Sequence, residues 1–267
     1  MTADLRGRIV VFAGPSLPPA RRPNDPRFAW APPAVAGDAL ALLDAAPRAV
    51  ILIDGLFDEW PAIRHKELLA LISRGVPLIG GASMGALRAA ELSSHGMIGV
   101  GAIFAAYASG RLDGDDEVAV VHGPAEWDWA PLTEPLVNVR ATILAAVRGR
   151  VVDVAAGRDI LLHASRMFYK ERTWPSLLSA VIKSHGPGDR ALNAFENWLP
   201  SGRIDLKQMD ALACLDEALL ARSRTSRPSA PETLFTIALQ QEIARRDHRR
   251  AKVARAAPRK RSSISLS

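Results

Sequence analysis

Four polar residues stand where predicted buried strands end. They are Ser16 after VVFAGP, Asp54 after AVILI, Ser83 after PLIGGA and His122 after EVAVV. If the strands are parallel, their carboxyl ends share one edge of the sheet, where ligands bind in α/β folds. A hydroxyl, an imidazole and a carboxylate are the parts of an activated serine nucleophile, in which a base takes the hydroxyl proton and a partner orients the base. The pattern indicates a candidate site for nucleophilic catalysis at this edge.

Ser83 lies in Gly81-Ala-Ser-Met-Gly85, which matches G-x-S-x-G. The glycines, together with Gly80, permit a tight strand-to-helix turn. Backbone N–H groups from Gly81 through Met84 to Gly85 would then lie in the first turn of a helix, where they stabilise an oxyanion or a bound anion. The motif alone is weak, because serine is also a common helix N-cap.

A second cluster comprises His65, Lys66 and Glu67, in the first turns of the helix that follows Asp54. His65 is a candidate general base. Lys66 is a base if burial makes it neutral, and it holds an anion if it stays charged. Adjacent helical residues fan over different faces, so at most two can face one site, and an exposed charged helix start is the alternative. Arg88 either faces an anionic ligand or pairs with Glu91, three residues away.

Continuous apolar runs alternate with helical patterns in the first half of the chain, which predicts parallel strands covered on both faces. The predicted strands are residues 8–13, 48–54, 76–80 and 117–122, and the predicted helices are 37–46, 61–73, 83–93 and 99–110. The proline-rich residues 18–33 are predicted to be an irregular loop.

After about residue 130 the spacing becomes helical throughout. The predicted helices are 132–147, 154–169, 174–184, 190–199, 206–222 and 231–250. We therefore predict an α/β chain. It has a parallel-sheet, Rossmann-like βαβ domain at 1–130, an α-helical subdomain at 131–245 and a disordered basic tail at 246–267.

Composition excludes several classes of protein. The chain has 267 residues, 48% of them hydrophobic, and one cysteine, so an intrachain disulfide is impossible and a cysteine metal site is disfavoured. No apolar run is long enough to span a membrane, and the N-terminal apolar run reads as a first strand. We expect a cytoplasmic protein without a bound metal. Cys214 lies in a helical apolar pattern, which predicts a buried core thiol.

The net charge of +6 is concentrated at the C-terminal end. Twelve of the 34 basic residues, but only three of the 28 acidic ones, lie at 222–267, which leaves the preceding chain slightly acidic. Such a tail can bind nucleic acid or another polyanion, but we expect a solvated extension instead.

Five segments together resemble the TfuA-like family. They are VVFAGPSL (10–17), ILIDGLF (51–57), HKELLALISRGVPLIGGASMGALRAAEL (65–92), HGMIGVGAIFAAYASGRLDGDDEVAVVHG (95–123) and LTEPLVNVRATI (132–143). The runs SMGALRAAEL and DDEVAVVHG are far more specific than G-x-S-x-G alone. The resemblance covers roughly residues 8–145 and does not extend into the helical C-terminal third.

The resemblance implies a role beside a YcaO-type enzyme in peptide thioamidation or trifolitoxin-type peptide maturation. In the thioamide pathway, the family member hydrolyses a thiocarboxylated, ThiS-like sulfur-carrier protein and releases sulfide. The YcaO partner uses ATP to activate the backbone amide of a precursor peptide, so this chain itself needs no cofactor. The resemblance implies that seven residues fall at motif positions of the family, but it does not assign their roles. They are Asp54, His65, Lys66, Glu67, Ser83, Arg88 and His122.

Two hypotheses follow for the function. The first is a thiocarboxylate hydrolase with Ser83 as nucleophile or anion-positioning group, His65, Lys66 or His122 as base, and Asp54 orienting the base or capping a loop. Asp54 precedes Ser83, unlike the usual elbow order, although triads recur in several orders. The second hypothesis is a non-catalytic adaptor that recruits the sulfur carrier and activates the YcaO partner.

Overall fold

The structure is a computed structural model that describes residues 5–56, 60–186 and 188–220. Its centre is a five-stranded sheet in which all strands are parallel, and this confirms the predicted parallel sheet. The strands are β1 (Ile9–Phe12), β2 (Phe28–Ala31), β3 (Ala49–Leu52), β4 (Leu78–Gly80) and β5 (Ile98–Gly99). Their order across the sheet is β2-β1-β3-β4-β5. Val50 pairs with both Val10 of β1 and Leu78 of β4, which places β3 in the interior of the sheet.

Nine helices are described in the chain. They are α1 (Asp38–Ala41), α2 (His65–Ser73), α3 (Met84–Leu92), α4 (Gly101–Ala108), α5 (Leu136–Arg148), α6 (Val154–Arg166), α7 (Trp174–His185), α8 (Arg190–Gly202) and α9 (Leu206–Leu220). Short 3₁₀ turns connect several of them. Within the described residues, no helix combines the length and the hydrophobicity needed to cross a membrane.

Both faces of the sheet are buried, which explains why its strands read as continuous apolar runs. Strand residues such as Val10 and Leu52 pack with α1, α2 and α3 on one face. On the other face, Ile51 and Ile79 pack against α9, including Cys214, which confirms the predicted core thiol. A helix from the C-terminal part of the chain therefore completes the core of the N-terminal sheet.

Helices α5 to α8 build a separate hydrophobic cluster around Phe195 and Ile160, both fully buried. Beside this cluster, the buried guanidinium of Arg172 donates hydrogen bonds to the carbonyl oxygens of Ala164, Met167 and Asp116. The loop that carries Asp116 is thereby fixed to the helical part of the molecule.

The structure corrects three predicted elements. Residues 117–122 are not a strand: after a 3₁₀ turn at Asp115–Glu117 they run outside the sheet, and Val121 donates its N–H to the Thr133 hydroxyl. This segment is apolar because its valines line a cavity. The predicted loop at 18–33 contains β2, and the predicted helix at 99–110 begins only at Gly101, after β5.

The strand order creates a crevice beside β1 and β3. The chain leaves β1 toward β2 on one side and leaves β3 toward β4 on the other, and ligands bind at such a switch point in open α/β sheets. The predicted helix at 231–250 and the tail at 246–267 lie outside the described residues.

Candidate functional site

A cavity of about 790 Å³ opens at this switch point. Asp54, Ser83 and His122 all line it, so three of the four predicted edge residues are brought together. Much of the remaining wall is apolar: Phe12, Trp60, Val118, Trp129 and several prolines. Ser16 lies beside a smaller polar cavity that adjoins the first, and Pro15 and Lys207 line both.

Asp54 holds the loop that follows β1. Its Oδ2 accepts hydrogen bonds from the N–H groups of Gly14 at 2.8 Å and Ser16 at 3.0 Å, and its Oδ1 accepts one from the Ser16 hydroxyl at 2.6 Å. The carboxylate is 3% exposed. Of the two roles considered for Asp54, capping a loop is the one its hydrogen bonds show.

Ser83 follows a sharp turn between β4 and α3. The preceding Ala82 has φ 66°, a left-handed conformation that is uncommon for a residue with a Cβ. Although Ser83 occupies the N-cap position of α3, its side chain makes no capping hydrogen bond. Ser83 is 9% exposed, and it is one of the residues that line the cavity. Its hydroxyl has no hydrogen-bond partner among the described residues.

The glycines around Ser83 serve close packing. A Cβ on Gly85 would overlap the Leu52 carbonyl oxygen, and one on Gly81 would lie 2.5 Å from the sulfur of Cys214. Three of the N–H groups proposed as oxyanion donors already have carbonyl acceptors. Gly81 donates to Leu52 at 3.4 Å, Ser83 to Gly81 at 2.8 Å and Gly85 to Ile53 at 3.1 Å. The N–H of Met84 has no acceptor within the described part of the chain.

His122 is held in one tautomer. Its Nδ1 lies 2.8 Å from the Gly123 carbonyl oxygen, which can only accept, so Nδ1 carries the proton. In the neutral ring Nε2 is then an acceptor, as a general base requires, and it has no donor among the described residues. The ring also packs edge-on against Trp129 at 5.3 Å between centroids. A backbone carbonyl, not Asp54, orients this imidazole.

The second predicted cluster does not line the cavity. Nε2 of His65 is 2.6 Å from an Oε2 of Glu91 that also pairs with Arg88 at 2.7 Å, so Arg88 makes the predicted surface pair. Lys66 is exposed. Glu67 is buried against the start of α1, where it accepts the N–H of Gly37 at 2.7 Å. Of the two candidate histidines, only His122 shares the cavity with Ser83.

Sequence reasoning missed Lys207, in the first turn of α9. This lysine is only 3% exposed, and its Nζ donates to the Val118 carbonyl at 2.8 Å. Burial lowers the pKa of Lys207, while the carboxylates of Asp54 and Asp205 act in the opposite direction. A single lysine in an amphipathic helix reads as solvent-facing, so no local pattern marked it.

The described residues contain no group of three or more His, Cys, Asp or Glu side chains placed to hold a metal ion. The two acidic residues that line the cavity accept backbone N–H groups: Asp54 as described above, and Asp38 from Val35 at 2.9 Å. Glu117, which is not part of that lining, pairs with Arg140 at 2.6 Å.

Comparison with known proteins gives a family match. Residues 54–173 match the model of the TfuA-like protein family, which confirms the resemblance over that range. The matched range includes Asp54, Ser83 and His122 and ends before α7. The family points to an accessory role in thioamidation and related peptide-modification pathways, and its members are generally associated with a YcaO partner. No curated protein matches the chain.

Proposed function

We propose that this chain, which carries a TfuA-like region at residues 54–173, hydrolyses a thiocarboxylated sulfur-carrier protein to supply sulfide to a YcaO-type enzyme. One observation carries the proposal. The uncapped hydroxyl of Ser83 and the acceptor Nε2 of His122 belong to residues that line one cavity at the switch point of the sheet. A nucleophile and a base at this position fit acyl transfer.

The reaction has two stages. His122 removes the proton of Ser83 while Oγ attacks the thiocarboxylate carbon, and the C–S bond then breaks as His122 returns the proton to the departing sulfur. In the second stage His122 activates a water molecule that cleaves the acyl ester, restores the serine and leaves a carboxylate on the carrier. The net change is thiocarboxylate plus water to carboxylate plus hydrogen sulfide.

The cavity wall suits a protein tail as substrate. Trp60, Trp129 and the flanking prolines give an apolar surface that can pack against an extended chain, while the polar groups lie deeper at the strand ends. The carrier tail would lie in the cavity with its terminal thiocarboxylate carbon next to Ser83. ATP is used by the YcaO partner when it activates the precursor peptide, and no cofactor of this chain enters the scheme.

Sulfide release from the purified, thiocarboxylated carrier tests the proposal. We expect Ser83→Ala and His122→Ala each to lower the rate by about a hundredfold or more, because each removes a group that acts in the transition state. His65→Ala, at the histidine outside the cavity, should release sulfide at close to the wild-type rate. Carrier with an ordinary carboxylate is the blank.

Two outcomes would overturn the assignment. Wild-type sulfide release by Ser83→Ala would remove Ser83 as the nucleophile. If the wild-type protein releases no sulfide but still binds both the carrier and the YcaO enzyme, the chain is a non-catalytic adaptor and the cavity is a docking site.

A further inference from the structure

Lys207 brings a buried positive charge to the cavity. An ammonium group has three N–H donors, and one of them donates to the Val118 carbonyl oxygen at 2.8 Å. The other two have no acceptor among the residues that the structure describes. Burying an ammonium group is costly unless hydrogen bonds and opposite charge compensate it, so a 3% exposed lysine with free donors at a cavity wall points to a ligand.

The two nearby carboxylates, Asp54 and Asp205, are not the acceptors for the remaining N–H donors of Lys207. Asp54 directs its oxygens to the loop at Gly14 and Ser16, and Asp205 accepts from the side chain of Asn138 and the N–H of Gln208. Within the described chain, neither carboxylate lies within ion-pair distance of the Lys207 ammonium. Both favour its charged form from farther away.

The substrate in the proposed function is itself an anion. A thiocarboxylate approaching Ser83 meets the carboxylates of Asp38 and Asp54 in the cavity wall, and like charges repel. The N–H groups of Ser83 and Gly85 are already bonded to carbonyl oxygens, so they do not offset this repulsion. Beyond the N–H of Met84, positive charge at the wall would offset the repulsion. Lys170 and Lys207 both line the cavity, and Lys207 is the buried one, so solvent screens its charge less.

We propose that Lys207 determines specificity by binding the anionic end of the carrier tail through its free N–H donors. The residue thereby selects a C-terminal thiocarboxylate or carboxylate over an amidated or internal peptide segment. This inference rests on the proposed function for the identity of the tail. It concerns recognition, and it holds whether or not Ser83 is the nucleophile.

Binding of matched peptides tests the inference. The probes are the last eight residues of the sulfur carrier, synthesised as the free acid and as the C-terminal amide. Trp60 and Trp129 line the cavity, so tryptophan fluorescence reports binding. We expect the wild-type protein to bind the acid about tenfold more tightly than the amide, as for a hydrogen bond between charged groups.

Lys207→Met should reduce this preference to within about twofold, because methionine replaces the apolar stem of lysine and lacks the ammonium group. Lys183→Met, at an exposed lysine on α7, is the matched control and should keep the preference. Circular dichroism checks the fold of each variant, and Lys207→Gln replaces the methionine variant if the latter does not fold.

Equal binding of acid and amide by the wild-type protein would overturn the inference without any variant. So would an undiminished acid preference in a folded Lys207 variant. The two proposals fail separately: absence of sulfide release with an intact acid preference removes the hydrolase, whereas release without an acid preference removes Lys207 as the recognition residue.

Discussion

At the scale of single residues, a carboxylate, an imidazole and a hydroxyl line one cavity, but their described hydrogen bonds do not join them to one another. The Asp54 carboxylate accepts three hydrogen bonds from the loop after β1, and the Gly123 carbonyl fixes the tautomer of His122. Ser83 lacks the capping bond that its position at a helix start offers. Acid, base and hydroxyl therefore share a cavity without forming one hydrogen-bonded chain, and the carboxylate supports the loop.

The buried lysine gives a pH dependence of stability. The folded pKa of Lys207 lies below its ordinary value of 10.5, so the unfolded chain binds more protons between those two values. The free energy of unfolding contributed by this residue therefore rises with pH across that window. We expect the stability of the wild-type protein relative to Lys207→Met to increase from pH 7 to pH 10, measured by urea denaturation.

Burial also raises the pKa of Cys214, which acts in the opposite direction above pH 9.0. Because the thiol is present in both proteins, its effect cancels in the difference. A difference in stability that is constant across the range would contradict a lowered pKa for Lys207.

At the scale of elements, the glycine turn fixes α3 against β3. Gly85 donates its N–H to the Ile53 carbonyl at 3.1 Å, and its missing side chain leaves room for the Leu52 carbonyl oxygen. Gly80 makes a similar close approach to the backbone of Gly85. The glycines of the G-x-S-x-G motif are therefore required for α3 to pack closely against β3 and β4. This packing fixes the position of Ser83 at the start of α3.

Gly85→Ala tests this packing. The new methyl group would overlap backbone, which cannot rotate away, so α3 must shift and we expect a loss of about 3 kcal/mol in the free energy of unfolding. Gly149→Ala is the control, because Gly149 is exposed, has φ −75° and leaves 3.2 Å to the nearest heavy atom. Urea denaturation measures both variants, and similar losses in the two would show that the close approach is not what matters.

Strands with strong apolar runs were predictable, and the weaker elements were not. Three strands are fully buried and have continuous apolar sequence, namely β1, β3 and β4. In contrast, β2 is a four-residue strand within proline-rich sequence, and β5 has only two residues. The apolar run at 117–122 was wrongly predicted to be a strand, because the valines that line the cavity give the same apolar pattern. Lys207 escaped notice because its burial depends on how α9 packs, which no local pattern contains.

At the scale of the whole molecule, the residues that match the family model are fewer than the residues that build the sheet and its core. The matched residues 54–173 begin after β3 and end before α9, yet the sheet needs β1 and β3 at its centre and α9 on one face. Lys207 also comes from outside the match. The TfuA-like region therefore depends on flanking sequence both for its core and for one charge at its cavity.

Truncation tests this dependence. A chain ending at Arg203 lacks α9 and exposes the apolar face that includes Ile51, Ile53 and Ile79, so we expect it to lose cooperative unfolding and to bind a hydrophobic dye. A chain ending at Leu220 keeps the helix and should show the higher melting temperature by circular dichroism. Equal transitions in the two chains would mean that α9 does not stabilise the sheet.

The position of α9 near the end of the described chain has a consequence during translation. The ribosome releases Asp54, Ser83 and His122 well before Lys207, and domains begin to fold while synthesis continues. A nascent chain that has only reached α8 contains Ser83 and His122, but one face of its sheet is uncovered and its cavity lacks Lys207. Under the proposed role of Lys207, selection of a carrier terminus is therefore acquired late, when the helix that carries this lysine has left the ribosome and docked.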